Sequence, residues 1–258
     1  MKDVFRTFIF SLSIIIAALV IGFSVIRAAK IIGDSIKAKQ ADSSARIVSE
    51  LVKVLKEKEP SGSREAAEYR RMFESIGSKK VEGVTVGTNP LKGNAKAPVV
   101  MVEFSDFQCP FTKKFHQQIF PQIEKEYIAT GKVKFAYRDL PLGIHPSAMP
   151  AAIAVRCAGK QGNYWQIFDK VLAGDSLDRE TFKKYAQESG LPMKAYEECL
   201  DKPEIKEAVA EDLKDAEKFG ALGTPSFFIN GRFVSGAYPF DVFKKIIEEE
   251  LSNNNPGP

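Results

Sequence analysis

The residues best suited to chemistry lie in one run, Phe104-Ser105-Asp106-Phe107-Gln108-Cys109-Pro110-Phe111-Thr112. It reads as the end of a strand, a tight turn carrying a thiol, and the start of a helix. A cysteine at a helix N-terminus meets unpaired backbone N–H groups and the positive end of the helix dipole, and both favour the nucleophilic thiolate. Pro110 suits the first helical position, where its missing N–H costs nothing. A Cys-x-x-Cys redox site is built on this plan, but Thr112 stands where the second cysteine belongs. Cys109 is expected to attack disulfides with no resolving thiol beside it. Thr112 lies one helical turn on, where its hydroxyl could donate to the thiolate. The competing reading is a redox-dead site in which Cys109 is only a packed, inert thiol.

The elements around this run must position it. Val84-Thr85-Val86 and Val99 to Phe104 read as strands, with the turn-rich Gly87-Thr88-Asn89-Pro90 between them. The helix from Pro110 is expected to kink at Pro121 and stop at Gly131. Val133 to Tyr137 is a further strand, giving a strand–helix–strand unit. Helical periodicity then recurs at 147–159, 164–172, 179–189, 193–200 and 204–219, separated by Gly, Asp and Pro breaks. Ser226 to Ile229 and Arg232 to Val234 flank Asn230-Gly231, a strong hairpin signal. A helix over 240–251 closes the domain, and 252–258 reads as a disordered polar tail. Strand alternation turns Glu103 to the face opposite Val102 and Phe104, where it is either buried or a surface carboxylate. Of the two histidines, His116 is expected to face solvent and His145 to cap a helix. Neither has metal-ligand spacing, so no metal or other cofactor is expected.

Strand, helix, strand, helical insert, hairpin, helix is an α/β order. With Glu103-Phe104-x-x-Phe107-x-Cys109-Pro110-Phe111 and Gly223-Thr224-Pro225-Ser226-Phe227-Phe228-Ile229-Asn230-Gly231, it resembles the DsbA-like thiol–disulfide oxidoreductases of the thioredoxin superfamily. The resemblance covers about 84–251, with the insert at about 146–219. It implies a thioredoxin fold in which Pro225 is cis and faces Cys109, and the Thr224-Pro225 loop pairs with an extended substrate. It implies that Glu103 lies under the site and assists proton movement, making Cys109, Thr112 and Glu103 the catalytic set. Phe107, Pro110, Phe111, Thr224 and Pro225 would contact protein thiol or disulfide substrates. A purely binding, chaperone-like module built on the same apolar surface is the alternative. By arithmetic alone, Cys157 and Cys199 are packing thiols in a reducing compartment or a disulfide in an oxidising one. The resemblance implies the disulfide. Thr112 departs from the family and points to a monothiol, isomerase- or reductase-like route.

The ends set the context. Thr7 to Ile26 is a run of 20 uncharged residues, long enough as a helix to span roughly 30 Å of hydrocarbon. It lacks a small-x-small cleavage site, so 1–30 is expected to be an uncleaved membrane anchor. Arg27, Lys30, Lys37 and Lys39 outnumber Lys2 and Arg6, which by the positive-inside rule puts the C-terminal side in the cytoplasm. The cysteines argue for the periplasmic or extracytoplasmic side, and that placement is expected here. Residues 31–80 read as a helical stalk and linker through which the chain could form a homo-oligomer. The net charge of +4 in 258 residues is small. No basic stripe with interleaved aromatics appears, so no nucleic-acid partner is expected.

Overall fold

The computed structural model describes residue 71 and residues 74–254. In chain order the elements are β1 (Val99–Ser105), α1 (Pro110–Gln118), α2 (Phe120–Ile123), a π-helical turn (Glu124–Ile128) and β2 (Val133–Asp139). There follow α3 (Ala148–Gly159), α4 (Tyr164–Ala173), α5 (Arg179–Glu188), α6 (Met193–Leu200) and α7 (Pro203–Phe219). The hairpin β3 (Ser226–Ile229) and β4 (Arg232–Ser235) and the helix α8 (Phe240–Asn254) complete the fold. The four strands form one mixed sheet in the order β2-β1-β3-β4. β1 runs parallel to β2 and antiparallel to β3.

β1 is central and buried on both faces, which is why it reads as a nearly continuous apolar run. Val99 and Met101 point to one face, with Phe135 and Tyr137 of β2, Phe227 and Ile229 of β3, Phe115 of α1 and Phe243 of α8. Val102 and Phe104 point to the other, with Ala136, Phe228 and the Ala216 and Phe219 of α7. Alternation thus carries Glu103 to the α1 face, where its ladder neighbours are Tyr137 and Phe227. The helical insert α3–α7 follows β2, and its α7 packs Ala216 and Phe219 against Val102, Phe104 and Phe228. Its Cys157 and Cys199 are joined, with Cα atoms 5.7 Å apart.

Three expectations need correction. Val84–Val86 is not a strand: the edge of β2 is met instead by Lys92, which exchanges two 2.9 Å bonds with Phe135. The carbonyl of Thr85 accepts from Arg138 Nη1 at 3.5 Å. The ordered packing starts before Val84, because Val81 N donates to Gly231 O and Phe233 N to Lys79 O, both at 2.8 Å, along the edge of β4. Finally, α8 continues to Asn254, so the tail begins later than 252. Pro121 does mark a break, since α1 ends at Gln118 and α2 starts at Phe120. The expected anchor at 1–30 and most of the stalk at 31–80 lie outside the described residues. Among the described residues no helix is long and apolar enough to cross a membrane.

Candidate functional site

The turn that delivers Cys109 is organised by Asp106. Its Oδ1 accepts from Gln108 N at 2.7 Å, and its backbone carbonyl accepts from Cys109 N at 3.1 Å. An aspartate side chain that bonds the backbone two residues on closes such a turn without help. The other carboxylate oxygen accepts from Leu142 N at 2.9 Å and from His145 Nδ1 at 2.7 Å. Gln108 Oε1 accepts from Ser147 N at 2.7 Å. The turn is therefore tied to the loop that opens the insert. His145 serves that tie and does not cap a helix; Ser147 holds the N-cap position of α3.

Cys109 is itself the N-cap of α1, with Pro110 next, and its carbonyl accepts from Lys113 N at 3.1 Å. The Cys109 residue is only 4% exposed. Its thiol donates to the carbonyl of Thr224 at 3.5 Å. The Thr224–Pro225 bond is cis, and Pro225 O accepts from Gly236 N at 2.9 Å. Thiol and cis-proline loop thus face each other, though they are 115 residues apart in sequence.

The Thr112 hydroxyl does not bond the sulfur. Thr112 is fully buried, and its Oγ1 lies 2.7 Å from Ser105 Oγ. Ser105 is two residues beyond Glu103 and so on the same face of β1. Glu103 is wholly buried, and His116 Nε2 donates to its Oε2 at 2.8 Å. His116 is therefore not surface-facing. Its ring packs 4.7 Å from that of Phe120 and 5.2 Å from that of Phe168. The signal was available: His116 is four residues from Thr112 and shares its buried helix face.

Phe107 cannot contact a substrate as it stands. It is fully buried, 4.9 Å from the Tyr137 ring and 5.3 Å from that of Phe168. Pro225 is also buried, while Thr224 is half-buried and Pro110 exposed. The exposed large apolar side chains are Phe111 at 62%, Ile144 at 79% and Leu222 at 80%. Phe111 lies two residues from Cys109 at the start of α1, Ile144 in the loop bonded to Asp106, and Leu222 two residues before Thr224. Sequence reading found Phe111 and missed the other two.

A buried ionic cluster lies beside the turn at the end of β2. Arg138 and Arg156 both bond Asp212 of α7, and Arg156 also bonds Asp139. Arg138 reaches Asp215 as well, at 2.8 Å. Burial pushes the Asp139 carboxyl up to about 6, with Arg156 opposing and Asp212 adding to the rise. Asp139 Oδ1, Glu103 Oε1 and the hydroxyls of Tyr137 and Tyr164 are buried with no partner. Among the described residues no group of three His, Cys, Asp or Glu side chains could hold a metal.

The sequence profile of the thioredoxin family matches residues 85–249. The chain is 30% identical to "Probable disulfide bond formation protein D" of Bacillus cereus, over 69% of this chain and 88% of that protein. It is 31% identical to the Na(+)/H(+) antiporter NhaA 3 of Salinispora tropica over 61% of this chain, and there it spans only about a quarter, 24%, of the relative's length. Among solved structures, alpha-DsbA1 of Wolbachia pipientis superposes with a TM-score of 0.60 at 25% identity, covering 67% of this chain and 95% of that one.

Proposed function

The chain belongs to the thioredoxin family, among its DsbA-like members, and from that membership we propose that it performs thiol–disulfide exchange on protein substrates through Cys109 alone. The observation that carries this is the placement of the single free thiol of the chain. Of its three cysteines, Cys157 and Cys199 are bonded to each other, and Cys109 sits at a helix N-terminus facing the Thr224–Pro225 loop. The Cys109 thiolate attacks one sulfur of a substrate disulfide. A bond forms between Cys109 and that sulfur, and the other substrate sulfur leaves as a thiolate. A second thiol, from the substrate or from a small external thiol, then attacks the substrate sulfur of the mixed disulfide. Cys109 leaves as a thiolate and is restored. A substrate thiol makes the cycle an isomerisation; an external thiol leaves that substrate sulfur bonded to its own, and a second external thiol completes the reduction by attacking the external sulfur, the two external thiols departing as their disulfide. Thr112 cannot form an internal disulfide, so no electrons are stored in the site.

Glu103 and His116 form a buried hydrogen-bonded pair on the face of β1 that also carries Ser105. Phe111, beside Cys109 at the start of α1, and Ile144 and Leu222 on the loops before α3 and Pro225 offer exposed apolar surface suited to unfolded segments. The placement we propose is extracytoplasmic, held to the membrane by Thr7 to Ile26. The Cys157–Cys199 bond supports it, since structural disulfides persist in oxidising compartments.

Near-complete burial of Cys109 and the exposure of Phe111, Ile144 and Leu222 favour a second reading, a binding module without turnover. Rearrangement of a scrambled-disulfide protein in the presence of a small thiol separates the two. Exchange predicts acceleration by the wild type and none by Cys109→Ala. Equal suppression of aggregation by both proteins, with no rearrangement by either, supports the binding module.

A further inference from the structure

The Ser105–Thr112 hydroxyl pair contains two O–H protons and one bond between them at 2.7 Å. Whichever atom donates, one proton is left over, and both residues are buried from water. A buried hydroxyl proton without an acceptor is costly. Two groups that could take it lie beside the pair, neither hydrogen-bonded to it in this conformation. At one end is Cys109, three residues before Thr112 on the same helix, where side chains are neighbours. At the other is Asp139, the ladder partner of Ser105 across β1 and β2. Paired residues of adjacent strands put their side chains on one face, about 5 Å apart. Asp139 is fully buried, and one of its oxygens is held by Arg156 while Oδ1 has no partner.

The geometry points to Ser105 and Asp139 as positioning residues for Cys109 that act on its proton through Thr112, an inference that rests on Cys109 being the exchanging thiol. In the resting state the thiol donates weakly to Thr224 O at 3.5 Å, and rotation about Cβ–Sγ redirects it. The Cys109 S–H bond then breaks and its proton goes to Thr112 Oγ1. The proton of Thr112 passes to Ser105 Oγ, and that of Ser105 to Asp139 Oδ1. Cys109 becomes a thiolate that accepts from Thr112, and the Asp139 carboxylate becomes a carboxylic acid. One negative charge moves and none is created, which is what a buried site favours. When the mixed disulfide is resolved, the departing Cys109 thiolate recovers the proton along the same path.

The groups around Asp139 suit this exchange. Arg156 of α3 and the Asn89 amide favour its charged form, whereas burial and Asp212 of α7 favour the neutral one. Tyr137 of β2 and Tyr164 of α4 interact with it but stay protonated, being raised well above their usual range by burial. Glu103 is the rival acceptor: His116 engages its Oε2 and its Oε1 has no partner, but it lies two residues from Ser105 along β1, whereas Asp139 lies directly beside Ser105 on β2. The Asp106 carboxylate is taken up by Gln108 N, Leu142 N and His145.

The test is the rate of iodoacetamide alkylation of the full chain between pH 5 and 9 without reductant, which reads Cys109 only. Ser105→Ala, a loss of one oxygen, should slow the reaction at pH 7 about tenfold and move its rise to more alkaline pH. Thr112→Val should do the same, the double variant no more, and Thr112→Ser should stay within about twofold of wild type. Asp139→Asn should match Ser105→Ala; if it does not fold, Ser105→Ala and Thr112→Ser still decide. A wild-type profile for Ser105→Ala overturns the relay. So does a profile moved by Glu103→Gln and not by Ser105→Ala, which would assign the proton to Glu103. If the wild type still forms mixed disulfides in those cases, exchange stands and only the relay falls. If wild-type Cys109 is inert at every pH, both fall.

Discussion

In the proposed exchange, Thr112 decides what Cys109 can perform. Thr112→Cys should let the site close an internal disulfide, shorten the life of mixed disulfides and add oxidation of dithiol peptides, all readable by intact mass under non-reducing conditions. Persistence of long-lived adducts in that variant would mean that Thr112 is not what prevents resolution. Asp139 gives a second prediction at this scale. Its folded-state value of about 6 lies above its ordinary 3.8, so between these values the folded protein holds a proton that the unfolded chain has lost. Stability should therefore fall as pH rises from about 4 to 6, by up to about 3 kcal/mol from this group. Asp139→Asn should flatten that part of the denaturation-midpoint curve. Cys109, Thr112 and Pro225 could be found in the sequence because each sits beside a helix start or a hairpin. Ser105, Asp106 and His145 were missed because their roles depend on partners up to 39 residues away. No local pattern encodes those partners.

At the scale of elements, three segments beside the Cys109 turn share buried charge. β2, α3 and α7 meet through Arg138, Asp139, Arg156 and Asp212. Asp212 serves both guanidinium groups, so Asp212→Ala leaves two buried cations short of a partner. It should cost about 3–5 kcal/mol in urea unfolding, and Asp212→Asn less. A loss below about 1 kcal/mol would show that water already screens the cluster. The periodicity of α3–α7 and the Asn230-Gly231 hairpin were legible because propensity and burial agree there. Val84–Val86 misled because β-branched residues favour strands only where a neighbour offers a free edge. Here Lys92 occupies the edge of β2.

For the whole molecule, the insert is stapled to itself by Cys157–Cys199, which closes a loop with a sequence separation of 42. In the chain-entropy picture this is worth about 3–4 kcal/mol, so Cys157→Ala with Cys199→Ala should lower the melting temperature while Cys109 keeps its reactivity. Loss of Cys109 reactivity in that variant would mean that the insert, tied to Asp106 through His145, also shapes the thiol turn. The thioredoxin plan was readable from motif order alone, since strand, turn and helix signals each fall where the fold needs them. The most direct test of exchange through a single thiol uses the intact chain, mixed with a disulfide-linked peptide and no added thiol, and weighed by mass spectrometry. The account predicts one peptide half attached at Cys109, stable until a thiol is added, and no adduct on Cys109→Ala. An unmodified wild-type protein that nevertheless retains the peptide would contradict it.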